Sequence, residues 1–250
     1  MNHLPLVSVI IPVYNGEHFL AEAIQNLKRQ HYPQLEIIVI DDGSTDKTAE
    51  IAAQFHADIR YIYQSNQGPA AARNHGINLA QGEVITFLDV DDLWADQVLI
   101  EFTSYLIAHP EVEIVQGLIQ QMQLDPTRTD RYADAFKPIF EPYQFINLGS
   151  AIYRKSVFDK VGLFDPELRD NEDTDWFMRA WEQNIHKVVM PKVMLFYRQH
   201  GRNMVLQQTN LVHFGLLKIF KRHIARKRSQ GTSSVSPSMH WLDYSGQSPI

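Results

Sequence analysis

The chain has 250 residues, of which 44% are hydrophobic and 21% charged, which is typical of a folded globular protein large enough to bury a sizeable core. A formal net charge of −6 gives no electrostatic reason to expect nucleic acid, and the lack of cysteine excludes disulfides, thiolate metal sites and a cysteine nucleophile. The amino-terminal segment lacks the features of a signal peptide and no stretch has the ~20 apolar residues that cross a bilayer, so we expect a cytoplasmic protein.

Strands and helices alternate over the first hundred residues. Four apolar runs predict strands: Val7–Val13, Glu36–Ile40, Ile59–Tyr63 and Glu83–Leu88. The segments between them predict three helices: Phe19 to Leu27, Ser44 to Phe55 with Ser44 or Thr45 as N-cap, and Gly68 to Ala80. Strands separated by helical crossovers indicate the α/β class, a single Rossmann-like domain whose mostly parallel sheet is flanked by helices.

Polar clusters follow three of these strands, where ligands bind in such sheets. They are Tyr14-Asn15, Asp41-Asp42 and the D-x-D-D string of Asp89, Asp91 and Asp92. On an extended backbone Asp89 and Asp91 project from the same side, and such acids repel one another unless a cation lies among them. Mg²⁺ or Mn²⁺ carrying a diphosphate fits this chemistry, whereas the alternative is that the acids cap the next helix.

The second half of the chain is less regular. Its predicted helices are Asp96–Ala108, Ser156–Val161, Glu172–Gln183 and the amphipathic Thr209–Arg228. Its predicted strands are Glu113–Leu124, His186–Met190 and Val193–Tyr197, with a long loop over Asp125–Pro142. We expect a catalytic domain over 1–205, with halves at about 1–95 and 96–205, then a helix over 206–228 and a loosely ordered tail over 229–250.

Four segments carry a family resemblance. In order they are VSVIIPVYNGEHFLAEAIQNLKRQ, EIIVIDDGSTDKT, QSNQGPAAARNHGINLAQGEVITFLDVDDLW and NEDTDWFMRAW. This ordered set, spanning residues 6 to about 203, resembles the family 2 nucleotide-sugar glycosyltransferases, which have the glycosyltransferase A-type fold. The resemblance implies an inverting, metal-dependent hexosyltransferase of the kind that builds polysaccharide, lipopolysaccharide or other cell-surface glycans. Its implied donor is a nucleotide-diphosphate sugar, for which family habit favours UDP over GDP or dTDP, and its acceptor is a glycan or a lipid-linked molecule.

The resemblance implies nucleotide binding at the ends of the first two strands. Pro12, Tyr14 and Asn15 follow the first strand, and the tyrosine ring could stack on a uracil-like base. Asp42 resembles the aspartate that hydrogen-bonds the base, whereas Asp41 is expected to shape the turn or to cap the helix at Ser44.

The same resemblance assigns the charged groups around the diphosphate. Arg73 is expected near the nucleotide or diphosphate, or in a salt bridge to a strand-end aspartate, and Asp89 contacts the ribose or supports the site. Asp91 is the first choice as metal ligand, and Asp92 is the second choice or an N-cap. His200 is a further candidate ligand or a structural histidine, and Arg198 and Arg202 beside it could contact the diphosphate.

The acidic pair Glu172-Asp173 resembles the family's ED motif. Inverting transfer needs a carboxylate that takes the proton from the acceptor hydroxyl, for which we predict Asp173, with Glu172 orienting donor or acceptor hydroxyls. The alternative is helix capping by both acids. We expect Asp175 at the surface, and at most one of Trp176 and Trp181 against a sugar. The stretch Gly149–Arg154 resembles the one beneath the acceptor site.

The last predicted helix carries many basic residues. They are Lys218, Lys221, Arg222, Arg226, Lys227 and Arg228. Such a helix can lie on an anionic membrane surface, which would suit a lipid-linked acceptor, although packing on the domain with a solvated charged face is the favoured interpretation. Two other functions stay open: a catalytically silent nucleotide-sugar-binding protein and a nucleotidyltransferase.

Overall fold

The computed structural model of the chain describes residues 4–125, 136–168, 171–200 and 212–229. Its strands are β1 (Val7–Val13), β2 (Leu35–Asp41), β3 (Arg60–Tyr63), β4 (Val84–Phe87), β5 (Leu93–Trp94), β6 (Ile114–Leu124), β7 (Phe136–Pro138), β8 (Ala151–Arg154) and β9 (Lys187–Gln199). Its helices are α1 (Leu20–Arg29), α2 (Thr48–Ala53), α3 (Pro69–Leu79), α4 (Val98–Ala108), α5 (Ser156–Val161), α6 (Glu172–Glu182) and α7 (Val212–Ser229).

One sheet joins these strands in the order β3-β2-β1-β4-β8-β6-β9-β5, with β7 paired to β6. Strands β3, β2, β1 and β4 are parallel, as the sequence predicts. Strand β8 runs antiparallel to both β4 and β6, so β6 points the same way as β4. The carboxyl ends of β1, β2, β4 and β6 therefore lie at one edge of the sheet, which is where the polar clusters meet.

Apolar side chains cover both faces of the sheet. One face buries alternate residues of β1 together with Leu20 and Ile24 of α1 and Phe102 of α4. The other face buries Ile10 and Phe87 against Trp176 of α6. Because both faces are covered, the strands are nearly continuous apolar runs, and this is the pattern that made the early strands predictable.

Helix α3 lies unusually close to the sheet, as its small residues predict. Ala70 and Ala72 are fully buried, and a Cβ added at Gly76 would stand 2.4 Å from Cγ2 of Ile10. Gly68 precedes the helix with φ of 92°, a conformation that favours glycine, so the chain turns sharply into the first turn at Pro69.

Helix α2 begins later than predicted and does not have a serine or threonine N-cap at position 44 or 45. It starts at Thr48, because the Asp46 carboxylate accepts hydrogen bonds from Thr48 N at 3.0 Å and from the Thr48 hydroxyl. Ser44 and Thr45 instead bond to Asn15, which ties the loop to the end of β1.

Three further differences concern strands. The two-residue strand β5 was not predicted, and β7 occupies part of the predicted loop 125–142. The two predicted strands near the carboxyl end are one long strand, β9, which pairs with β6 over most of its length. At the predicted gap between Met190 and Val193 the strand continues, and its pairing with β6 shifts register between Gln116 and Ile119.

Helix α7 packs on the domain through charged groups. Arg226 donates to Glu182 at 2.8 and 2.9 Å, the ring of His223 lies 2.5 Å from the same carboxylate, and Arg222 pairs with Asp165. These contacts confirm packing on the domain, and they use basic groups that the alternative would place on a membrane. No helix within the described ranges is long and apolar enough to cross a bilayer. The predicted tail, apart from Ser229, lies outside the described residues.

Candidate active site

Asn15 and Asp41 build the edge of the site from β1 and β2. Asn15, at φ of 55°, accepts a hydrogen bond from Thr45 N at 2.9 Å, and its own N–H donates to the Ser44 hydroxyl at 2.8 Å. The buried Asp41 accepts from Ser44 N at 2.7 Å and from the Tyr61 hydroxyl at 2.6 Å, which places it in the predicted turn-shaping position. Tyr14 beside them is 54% exposed, so its ring is open to a ligand.

The buried carboxylate of Asp42 holds the loop that precedes α3. It accepts hydrogen bonds from Gln67 N at 2.9 Å, Gly68 N at 2.8 Å and the Gln64 side chain at 2.7 Å. A carboxylate has about four acceptor positions, so these donors occupy most of its capacity. Asp42 thus fixes the loop before α3 in this structure. Its predicted contact with a base would use the one acceptor position that these donors leave open.

Arg73 connects the two halves of the site. One terminal nitrogen donates to Asp89 Oδ1 at 2.7 Å, and the other donates to Glu172 Oε1 at 2.5 Å. These contacts confirm the salt bridge to a strand-end aspartate, which was one of the two alternatives for Arg73. Its buried Nε has no hydrogen-bond partner among the described residues.

Asp91 lies next to His200 across the site. The two side chains approach to 3.1 Å between Oδ2 and Nε2, and the imidazole stacks on Phe19 with ring centroids 4.8 Å apart. The neighbouring Asp92 is buried and accepts from Arg198 N at 2.9 Å. Burial, followed by the charges of Asp91 and Asp89, raises the pKa of Asp92 well above its usual range.

Arg198 is fully buried and holds the surroundings of Asp91 in place. Its guanidinium donates to the Asp91 backbone carbonyl, pairs with Glu22 at 2.6 Å and lies over the Phe19 ring at 5.4 Å. This gives Arg198 a positioning role instead of the predicted diphosphate contact. The predicted contact of Arg202 lies outside the described residues. Sequence reasoning missed Glu22, which looks like any acid in the first turn of a helix.

The described residues fit a metal that is shared with phosphate oxygens. No group of three or more His, Cys, Asp or Glu side chains within the described ranges is arranged to hold a metal ion alone. Mg²⁺ and Mn²⁺ commonly take only one or two carboxylates from the protein and complete their shell with water and substrate phosphates. Asp91 and His200, at 3.1 Å, supply an oxygen and a nitrogen donor that suit this kind of site.

Glu172 and Asp173 open helix α6 beside Arg73. Burial, followed by the charge of Glu172, raises the pKa of Asp173 to about 6, although hydrogen bonds from Thr174 and the charge of Arg73 act in the opposite direction. A carboxylate with this pKa is ionised at neutral pH and is a better base than an exposed aspartate. The prediction that Asp175 lies at the surface is wrong, because it is buried and pairs with Arg179 at 2.9 Å.

Neither tryptophan of α6 lines the site. Trp176 is in the core, where its indole N–H donates to the Gly162 carbonyl at 2.8 Å. Trp181 faces α7, with His223 at 5.8 Å and Lys227 at 5.4 Å from its ring. The five-residue spacing places them on different helix faces, in agreement with the expectation of at most one site tryptophan.

The stretch Gly149–Arg154 contains the end of a 3-10 turn and the whole of β8. Residues 149 to 153 are buried, and the Gly149 carbonyl accepts from the Trp94 indole at 2.8 Å. Because β8 pairs with β4, this stretch supports the strand that precedes the aspartates.

The site at the carboxyl edge of this sheet, with clustered acids and one arginine bridging them, defines the class of nucleotide-binding α/β enzymes. Residues 8–162 match the family described as glycosyl transferase family 2, which is more than half of the chain. The chain belongs to glycosyl transferase family 2, as its sequence motifs predict.

Individual relatives agree with this assignment. The chain is 29% identical over 218 residues to the uncharacterized glycosyltransferase EpsJ of Bacillus subtilis, covering 80% of this chain and 63% of EpsJ. Among solved structures, S. aureus TarS 1-349 in complex with UDP-GlcNAc has a TM-score of 0.64 and 24% identity, covering 79% of this chain and 60% of TarS. The mannosyltransferase PcManGT from Pyrobaculum calidifontis, in complex with GDP-Man and Mn²⁺, has a TM-score of 0.68 and 20% identity. That match covers 95% of this chain and 68% of PcManGT.

The structural likeness confirms the fold, which is the glycosyltransferase A-type fold with a carboxyl-terminal helix. The chain spans less than two thirds of EpsJ and TarS, so their activities as whole proteins carry over only as proposals.

Proposed function

We propose that this protein is an inverting, metal-dependent glycosyltransferase that moves a sugar from a nucleotide-diphosphate donor, with UDP as the preferred nucleotide, to an acceptor hydroxyl of a cell-surface glycan or its lipid-linked precursor. The observation that carries the proposal is the Arg73 bridge, which joins Asp89 of the donor side to Glu172 beside the candidate base. UDP-GlcNAc and GDP-Man in the two structural neighbours support a nucleotide sugar as donor.

Asp173 acts as general base in this proposal. Its carboxylate takes the proton of the acceptor hydroxyl while that oxygen bonds to the anomeric carbon from the face opposite the diphosphate. The bond between the anomeric carbon and the diphosphate oxygen breaks, and its electron pair leaves with the nucleoside diphosphate. The raised pKa of Asp173, about 6, supports this role because the group binds a proton readily yet is ionised at neutral pH. Glu172, held by Arg73, orients a sugar hydroxyl.

Asp91 and His200 would hold the metal, with Asp92 as second choice among the carboxylates. A bound Mn²⁺ or Mg²⁺ supplies Lewis-acid stabilisation of the leaving diphosphate. Arg73, held between Asp89 and Glu172, would contact the diphosphate. Tyr14, with Pro12 and Asn15, forms the base-stacking edge, while Asp42 completes the base contact and Asp89 contacts the ribose.

The proposed peripheral location on the inner face of the membrane would depend on one face of α7. Arg222, His223 and Arg226 of this helix contact the domain. Among the described side chains of α7, those that remain exposed are Phe220, Lys221, Ile224, Ala225 and Arg228, a small face of three apolar and two basic groups.

Nucleotide binding and turnover test the proposal. We expect UDP with Mn²⁺ to raise the melting temperature more than UDP alone, because a ligand that binds only the folded state stabilises it by mass action. Asp91→Asn should lose the part of the melting-temperature rise that depends on Mn²⁺. The control Asp58→Asn, which changes an exposed acid paired with Lys28, should keep it. GDP and dTDP serve as competing nucleotides.

The released product separates the remaining functions. Incubation with UDP-glucose, UDP-GlcNAc or GDP-mannose and an oligosaccharide acceptor such as lactose or N-acetyllactosamine should release the nucleoside diphosphate and glycosylate the acceptor, and Asp173→Asn should abolish this release while leaving the protein folded. Release of pyrophosphate from a nucleoside triphosphate would indicate a nucleotidyltransferase. Nucleotide binding without any turnover would indicate a silent binding protein.

A further inference from the structure

The segment from Phe136 to Phe145 borders the acidic site. It runs antiparallel along β6, first as β7 and then through a bridge between Tyr143 and Ile119. At its start the Phe136 ring lies 5.1 Å from the Arg198 guanidinium, which holds the Asp91 backbone. Near its end the Tyr143 hydroxyl bonds to Gln121, which pairs with Tyr197 of β9.

Three glutamines of β6 hold this segment in place. Gln116 donates to the Phe145 carbonyl at 2.7 Å, and Gln120 donates to the Phe140 carbonyl at 2.7 Å. The Tyr143 hydroxyl donates to Gln121 Oε1 at 3.1 Å. The backbone of the segment is therefore fixed at several points, although it lies at the surface.

Gln116 also connects this segment to α6, the helix that carries the candidate base Asp173. Its amide oxygen accepts from Lys187 Nζ at 2.9 Å, and Lys187 lies 6.0 Å from the Phe177 ring. Phe177 follows Asp173 by one helical turn on α6. The position of Phe145 is thus linked to the same helix that carries Asp173.

Two phenylalanine rings of this segment are turned outward. Phe140 is 63% and Phe145 is 62% exposed, and Tyr143 lies beside Phe145 with ring centroids 6.5 Å apart. We call Phe140, Tyr143 and Phe145 the aromatic shelf. Large exposed apolar side chains on a fixed backbone, next to a reaction site, indicate a binding surface for a flat or apolar ligand.

The described residues 136–150 carry no surplus positive charge that would favour an anionic ligand. Between residues 136 and 150 the sequence has one cation, Lys137, and one anion, Glu141. Lys137 lies 3.6 Å from Asp125, so its charge is balanced within the protein. A phosphate or an anionic lipid headgroup would find no surplus positive charge here, whereas the C–H face of a neutral sugar ring can pack on exposed aromatic rings.

We propose that the aromatic shelf binds neutral sugar rings of the acceptor, one stacking on Phe140 and another on Phe145, and so presents the acceptor hydroxyl to Asp173. This inference rests on the proposed function and names the acceptor class for it. The shelf is a specificity-determining surface: it selects a neutral glycan end over a charged one, and Tyr143 adds a polar group at its inner side.

Binding of neutral oligosaccharides tests the shelf. The probes are methyl β-glucoside, methyl β-galactoside, lactose and N-acetyllactosamine, measured by saturation-transfer NMR with UDP and Mn²⁺ present. We expect Phe145→Ala and Phe140→Ala each to weaken the binding of the best probe about tenfold, the scale of one lost aromatic contact. Phe145→Trp should preserve it, since it keeps a flat ring. Tyr63→Ala, which removes a ring of similar exposure (61%) from β3 at the other end of the sheet, is the matched control.

Three results would overturn the shelf: no neutral probe binding to the unaltered protein, equal binding by the alanine variants, or binding only to phosphatidylglycerol vesicles. The thermal shift with UDP and Mn²⁺ should be the same in all shelf variants, because they leave the donor side intact. If the unaltered protein shows no shift, the proposed function fails, whereas a normal shift with unchanged sugar binding by the variants rejects the shelf alone.

Discussion

Asp173 combines a raised pKa with a fixed position beside Glu172 and Arg73. Burial is the largest cause of the rise to about 6, and the charge of Glu172 is the second. The carboxylate of Glu172 is itself held by Arg73, so the base lies beside a charge that cannot move away. The protonation of Asp173 should therefore set how transfer depends on pH.

The pH dependence of turnover tests this relation. We expect kcat/KM to rise about tenfold per pH unit below about 6 and to level off above it, because only ionised Asp173 accepts the acceptor proton. Glu172→Gln removes a repelling charge, so the acid limb should move to lower pH even if the rate falls. A limb that stays in place in this variant would contradict the assignment of Asp173. Asp58→Asn, which changes an exposed acid paired with Lys28, should reproduce the pH profile of the unaltered protein.

The same raised pKa has a cost in stability. The folded state disfavours ionised Asp173, so its pKa of about 6 lies above the ordinary 3.8. The penalty is absent below pH 3.8, grows between 3.8 and about 6, and is complete above that. Asp173→Asn should therefore raise the free energy of unfolding at pH 7.5 by on the order of 1–3 kcal/mol and change it little at pH 3.5. Urea unfolding at the two pH values measures this, and an equally large gain at pH 3.5 would exclude ionisation as the cause.

The sequence predicted which residues gather at the strand ends better than it predicted where each side chain points. Position and residue type place Asp42, Asp91 and Asp92 at one edge of the sheet. Yet Asp42 turns to a loop 22 to 26 residues away, and Asp92 turns to Arg198, 106 residues away. Such partners depend on tertiary packing, which spacing along one strand does not encode.

At the scale of elements, the close approach of α3 to β1 depends on Gly76. Gly76→Ala should lower the free energy of unfolding by about 1–3 kcal/mol, because a Cβ there would stand 2.4 Å from Ile10 Cγ2 and one of the two elements must shift. Urea denaturation measures the loss. Asn78→Ala, an exposed change on the same helix, should alter stability by less than about 0.5 kcal/mol. Equal effects of the two substitutions would show that the packing is not tight.

Elements marked by an apolar run or by a terminal glycine were predictable, and the two shortest strands were not. Strand β1 and helix α5 have the predicted bounds, since apolar runs and a terminal Gly162 mark them clearly. Strand β5 has only two residues, and β7 has three, so neither has enough length to show a period. Both form because a neighbouring long strand, β9 or β6, offers a pairing edge.

For the whole molecule, α7 shows why a basic helix is ambiguous in sequence. Its arginines could face lipid, solvent or acids of the same chain, and the pattern is the same in each case. The structure selects the acids: Glu182 receives both Arg226 and His223, and Asp165 receives Arg222. The acids lie on α6 and on the loop before it, so α7 stabilises the part of the fold from which Glu172 and Asp173 project.

The Arg73–Glu172 pair also limits how this protein could be re-engineered. The two residues are 99 positions apart and belong to the two predicted halves of the domain, yet they share one buried contact. A chimera that took its second half from a relative would separate them, and an unmatched partner would leave a buried charge costing about 3–5 kcal/mol. A chimera should therefore take positions 73, 89 and 172 from the same relative. Alternatively, the relative should be one that already has arginine, aspartate and glutamate at these positions.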